Sequence, residues 1–177
     1  MRYLCIWSKF NDWMETKIYS ELKKQFTGYL IEKKLRRTEE RYSILKQICS
    51  YSSHFDINTL HERLEYENFH VSKATLYNTL DIFIEAGLIV RHQINPQSVQ
   101  YELRLIADTH QHLICTQCGE VREIRNQTLK AEIKNLKVRR FTPEFSCLYI
   151  YGICSKCTFR LRQEKKKSIN KTLLDKK

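Results

Sequence analysis

Along the 177-residue chain, hydrophobic positions follow helical spacing first and strand alternation later. Over 17–34, Ile18, Leu22, Phe26, Tyr29 and Leu30 recur three and four residues apart, which predicts an amphipathic helix. Tyr42, Leu45, Ile48 and Cys49 form a second stripe over 39–51, with Thr38 as a candidate N-cap. Asp56 precedes INTLHERLEYE, where Ile57, Leu60 and Leu64 share one face. Ser72 precedes KATLYNTLDIFIEA, whose inward face is Leu76, Leu80 and Phe83 and whose outward face carries Ala74, Tyr77, Asn78 and Asp81. Gly87 closes that helix, as glycine does one residue past a C-cap. Two runs with strand character follow, LIVRHQI (88–94) and VQYELRL (99–105), joined by Asn95-Pro96-Gln97-Ser98. Helices and then a hairpin, in this order, predict a winged helix-turn-helix domain over 17–105.

Residues 106–111 read as a hinge. Beyond it, HLICTQCGEVREI predicts two short strands around a cysteine turn, followed by a helix over 126–137 and a strand over 146–151. The fold class is therefore α+β, with a smaller α/β domain over 112–160. Residues 1–16 are an extension of uncertain role. Met14 opens METKIYSELKK, a natural helix start, and is a candidate alternative initiation site. Residues 161–177, charged and without an apolar stripe, are expected to be a disordered basic tail.

Composition narrows the function classes. Hydrophobic residues make up 42% of the chain, enough for a core. No apolar run approaches the roughly 18–20 residues that span a bilayer, and no signal-peptide pattern opens the chain, so a cytoplasmic protein is expected, with no membrane partner. The formal net charge of +11 points to an anionic partner, nucleic acid first. Residues 155–177 hold nine Lys/Arg against Glu164 and Asp175, so +7 of that charge lies in this C-terminal stretch. The basic side chains beside the helical pattern are fewer. Arg36, Arg37, Thr38 and Arg41 crowd the start of the second helix, and Lys73, Thr75, Tyr77 and Asn78 can face a DNA groove. Arg91 and His92 on the wing can meet phosphates.

Seven cysteines are an odd number, which complete disulfide pairing within one chain cannot satisfy. Cys115/Cys118 and Cys154/Cys157 are two Cys-x-x-Cys pairs, the spacing at which two thiolates share one metal. Structural zinc is the expectation; two disulfides, an iron–sulfur cluster or unrelated thiols are the alternatives. His110 and His112 alternate on an extended segment and so share a face. Glu102 and Glu123 can add oxygen ligands, a mixture that suits Fe(II), Mn(II) or Zn(II).

The segments ATLYNTLDIFIEAGLI, SVQYEL, HQHLICTQCGEV and LYIYGICSKC, in that order between Leu35 and Cys157, resemble the ferric uptake regulator family of metal-dependent repressors. The resemblance implies a homodimer with an N-terminal winged helix, a C-terminal dimerisation domain and double-stranded operator DNA as partner. It implies that Cys115, Cys118, Cys154 and Cys157 hold structural zinc, and that His54, Glu102, His110, His112 and Glu123 hold the regulatory metal. It also implies that Tyr77 contacts a base and Arg36 enters the minor groove. Asn78 departs from an arginine common in the family, and Glu40 from a common proline. Thr109, Gln111, Lys130 and Ser146 lack the side chains for a further site, so two metal sites per subunit are expected. Glu102 and Glu123 favour an iron-type sensor over the peroxide-sensing branch, which typically has aspartate at the latter position. A peroxide sensor, with oxidation of His54 or His110 by bound Fe(II), is the alternative. A hydrolytic zinc enzyme is disfavoured, because five protein ligands leave little room for substrate and water.

Overall fold

The computed structural model describes residues 3–95 and 98–174, with side chains described over 15–93 and 99–167. The chain divides into two units, Met1–Ala107 and Asp108–Lys177.

In the first unit, helix α1 (Tyr3–Glu32) is followed by α2 (Glu39–Cys49), α3 (Ile57–Tyr66) and α4 (Lys73–Glu85). The antiparallel hairpin β1 (Ile89–Asn95) and β2 (Ser98–Leu103) comes next, and the short helix α5 (Arg104–Ala107) ends the unit. Asp56 and Ser72 start α3 and α4 by accepting hydrogen bonds from the backbone N–H groups of Thr59 and Thr75. Thr38 occupies the N-cap position of α2, but its side chain makes no capping bond. Gly87 ends α4 at φ +68°, a left-handed conformation that glycine adopts without strain. Pro96 and Gln97, the centre of the expected hairpin turn, lie outside the described residues.

The core lies in this unit. Phe26 of α1 meets Phe83 of α4 edge-on, with ring centroids 4.8 Å apart, and both rings are fully buried with Leu76 and Leu80. At the rim, Gln25 donates to the carbonyl of Ala86 and Tyr29 donates to Glu85 at 2.8 Å. These contacts fasten α1 to the end of α4. Phe83→Ala removes the central ring, so a loss of about 3–5 kcal/mol is expected in urea unfolding of this unit.

The second unit holds a three-stranded sheet in the order β4 (Val121–Ile124), β3 (Gln111–Cys115), β5 (Tyr149–Gly152). β3 pairs antiparallel with β4 and parallel with β5. Helix α6 (Gln127–Lys134), capped by Asn126, lies in the connection, and α7 (Ser155–Leu174) follows β5. Ile114, Cys115 and Cys157 are the only buried apolar side chains among the described residues of this unit. It therefore lacks the packed interior that stabilises the first.

Three expectations change. The first helix begins at Tyr3, ahead of residue 17. Arg104 and Leu105 leave the second strand and enter α5, which takes up the start of the expected hinge. The expected disordered tail is helical through Leu174, with 175–177 outside the described residues. No Gly or Pro interrupts 155–174, its Lys, Arg, Gln and Leu are good helix formers, and the cysteine turn at its start supplies the costly first turn.

Candidate metal centres and DNA-facing surface

Two turns of the second unit bring the four cysteines together. Cys115 ends β3 and pairs in register with Gly152 at the end of β5, so the chain leaves both strands at the same level. Thr116 fixes that level by donating its backbone N–H to the Gly152 carbonyl at 2.8 Å. Gly119, at φ +73°, turns the chain back so that its N–H reaches the Cys115 carbonyl. Cys154 follows β5, and Cys157 sits in the first turn of α7.

The ligand atoms of Cys115, Cys118, Cys154 and Cys157 all lie within 4.8 Å of one another. Cys118 Sγ and Cys154 Sγ are 3.8 Å apart. That is far beyond a disulfide bond and close to the edge of an S4 tetrahedron, about 3.8 Å for zinc–sulfur bonds of about 2.3 Å. The backbone N–H of Cys154 donates to Cys115 Sγ at 3.3 Å and holds that thiol down at about 6. Burial, with the neighbouring thiols adding to it, pushes Cys157 up to about 12. Four sulfurs this close cannot all become thiolates without a cation among them, and the donor set fits zinc.

In the first unit, residues far apart in sequence meet through one backbone bridge. Phe55 and Tyr101 exchange N–H···O bonds of 2.9 and 2.7 Å, and their rings stack. Their neighbours are thereby brought together. His54 Nε2 lies 3.5 Å from Glu102 Oε2, and Glu102 is fully buried. His92 Nε2 approaches the same oxygen at 3.3 Å and is also fully buried. His92 is therefore not a phosphate contact. Arg91 is exposed, and successive residues of a strand face opposite ways.

The second unit holds its own set. His110 Nε2 and His112 Nε2 are 3.1 Å apart on β3, and Glu123 Oε1 of the paired strand is 3.9 Å from His110 Nε2. Cys147 Sγ lies 3.8 Å from His112 Nδ1, and the Tyr149 ring stacks on the His112 ring. Each unit thus offers imidazole nitrogen with carboxylate oxygen, a donor set that suits Fe(II), Mn(II) or Zn(II).

A model of the "Ferric uptake regulator family" matches residues 32–151. The chain belongs to the ferric uptake regulator family. Among its relatives is a ferric uptake regulation protein of Neisseria meningitidis serogroup A, 31% identical over 70% of this chain and 86% of that protein. The peroxide operon regulator of Bacillus subtilis is 29% identical over 73% of this chain and 88% of its own length. A Pseudomonas aeruginosa ferric uptake regulator solved with manganese shares the fold at TM-score 0.62 and 27% identity. That match covers 73% of this chain and 97% of that one. As a ferric uptake regulator family member, the chain is a metal-responsive transcriptional regulator.

Two of the four positions at which a further metal site would need ligands, Gln111 and Lys130, are engaged elsewhere. Gln111 Oε1 accepts from the Asn126 backbone N–H, and Lys130 pairs with Asp108 at 3.6 Å. The candidate DNA contacts lie on two parts of the first unit. Arg36 and Arg37 are exposed ahead of α2, with Thr38 and Arg41 partly covered; Arg41 donates to the Arg36 carbonyl. On α4, Tyr77 and Asn78 are exposed, while Lys73 donates to Asn58 and Thr75 serves the helix cap. Tyr77 and Arg91 line one cleft of about 440 Å³ together with Asp81 and Tyr101. The recognition-like helix and the hairpin thus border the same cleft.

Proposed function

We propose that the chain is an iron-responsive repressor that binds operator DNA as a homodimer, with α2–α4 and the hairpin acting as a winged helix-turn-helix. Cys115, Cys118, Cys154 and Cys157 hold structural zinc. His54 and Glu102 of the first unit, with His110, His112 and Glu123 of the second, hold the regulatory metal. The observation that carries this reading is the buried Glu102 carboxylate with His54 beside it, on the hairpin that also carries Arg91.

A divalent ion held by both sets would supply the link between units. The chain's own residues determine what that link acts on. The Phe55–Tyr101 bridge couples His54 to β2, which carries Glu102, and the β1–β2 register couples β2 to Arg91. Holding the hairpin and α4 at one spacing in each subunit suits half-sites about one DNA turn apart. Support for a dimer comes from apolar side chains left exposed on the second unit. Phe141, Ile150, Tyr151, Ile153 and Phe159 are 64, 41, 58, 51 and 65% exposed. Apolar exposure concentrated in this way marks a protein interface. Arg36, Arg37, Thr38, Arg41, Lys73, Thr75, Tyr77, Asn78 and Arg91 are proposed as DNA contacts.

Selection of duplexes from a randomised DNA pool, with and without Mn(II), tests this reading. An inverted-repeat duplex should be enriched only with metal, and anisotropy titrations with Fe(II), Mn(II) and Zn(II) then rank the ions. A selected duplex bound equally well with and without each ion would overturn it.

A further inference from the structure

We propose that His92 is a third metal ligand on the DNA-binding unit, so that His54, His92 and Glu102 form a two-histidine, one-carboxylate set on the wing itself. The inference rests on the regulatory-metal reading above and adds to it a residue that the wing position alone would assign to DNA.

The geometry is local to the first unit. His92 of β1 pairs across the hairpin with Gln100, and Val90 with Glu102. His92 and Glu102 are therefore diagonal neighbours on one face of the hairpin, within reach for long side chains. Both histidine Nε2 atoms approach the same carboxylate oxygen, at 3.5 Å for His54 and 3.3 Å for His92. The two rings are 5.0 Å apart, centroid to centroid, and tilted by 69°. Ligand atoms around one ion, at bonds of about 2.1 Å, stand roughly 3.0–3.4 Å apart for octahedral or tetrahedral arrangement. The observed spacings lie at or just beyond that range, so small side-chain rotations bring all three donors onto one ion. Two imidazoles and a carboxylate on one face are also a known donor set for Fe(II).

A purely structural reading, in which His92 only hydrogen-bonds Glu102, makes a different chemical prediction. In that case no atom at position 92 touches the ion. If His92 is a ligand, the ion grips both β1 and β2, and β1 carries Arg91 on its opposite face. Metal occupancy then acts on the wing directly as well as through the second unit.

The test uses the full chain with zinc in the cysteine site and Co(II) as the probe of the regulatory site. His92→Cys places a thiolate where the imidazole stood. A sulfur-to-cobalt charge-transfer band, absent from the wild type's second-equivalent spectrum, is expected. His92→Ala should bind Co(II) roughly 10–100-fold more weakly, with one imidazole fewer in its X-ray absorption spectrum than wild type. A His92→Cys protein that binds Co(II) without the band, or a His92→Ala protein with the wild-type imidazole count, would overturn the proposal. Wild type and His54→Ala distinguish the two levels. If wild type takes up no second equivalent, or His54→Ala takes it up unchanged, the regulatory-metal reading itself fails. If only the His92 results are negative, that reading stands and His92 is structural.

Discussion

Cys118→Ser is expected to unfold the second unit and leave the first folded. Structural zinc contributes apparent binding energies of about 10–16 kcal/mol in small zinc domains, and that energy is folding energy. Here little else can replace it. Among the described residues, the buried members of the core cluster end at Leu103, and the second unit buries only Ile114, Cys115 and Cys157 of its apolar side chains. Losing one of four thiolates opens the tetrahedron and leaves three sulfurs whose thiolate forms repel one another. The checks are zinc content and hydrogen exchange. Zinc should fall by one equivalent per chain, amides of β3, β4 and β5 should lose protection, and those of α2–α4 should keep it. Chelation of wild-type zinc should reproduce the pattern. Retained protection in β3 with zinc absent would show that the sheet stands without its metal.

His54→Ala should have the second large effect, on regulation and not on folding. His54 lies in the loop before α3, outside the core, and its side chain is 11% exposed. Truncation takes one imidazole from a buried carboxylate that keeps His92 at 3.3 Å, so a stability loss of about 1–3 kcal/mol is expected, too small to unfold the unit. DNA affinity at saturating Mn(II), in contrast, should fall to the metal-free value. A full swing of a two-state equilibrium from 1:99 to 99:1 requires about 5.5 kcal/mol of differential metal affinity, and a few bonds made in only one state supply that order of energy. Anisotropy with the selected duplex reads this directly. Metal dependence as strong as wild type would exclude His54 from the switch.

Much of the fold can be read from the sequence because its signals are local. Asp56 and Ser72 mark helix starts by side-chain bonds that reach three residues along, and Gly87 marks a helix end by taking a left-handed backbone conformation. The cysteine pairs are legible for the same reason. His54 is not legible from spacing, because its partner Glu102 is brought near by the long-range Phe55–Tyr101 bridge. Only the family resemblance selects it. His92 is hard to place from sequence for a subtler reason. A strand that exposes Arg91 must turn His92 the other way, so parity held the signal, but a basic wing suggested phosphate for both. The tail misleads in the opposite sense. It lacks an apolar stripe, yet helix propensity and a start fixed by the cysteine turn are enough to order it through Leu174.

In the proposed mechanism, metal and DNA binding are coupled through one site. Calorimetric Mn(II) titration of the zinc-loaded chain, with and without the selected duplex, tests it most directly. Coupling is reciprocal, so DNA must tighten Mn(II) binding by the factor by which Mn(II) tightens DNA binding. Equal factors, both lost in His54→Ala, are expected; Mn(II) affinity unchanged by DNA would rule out the coupling.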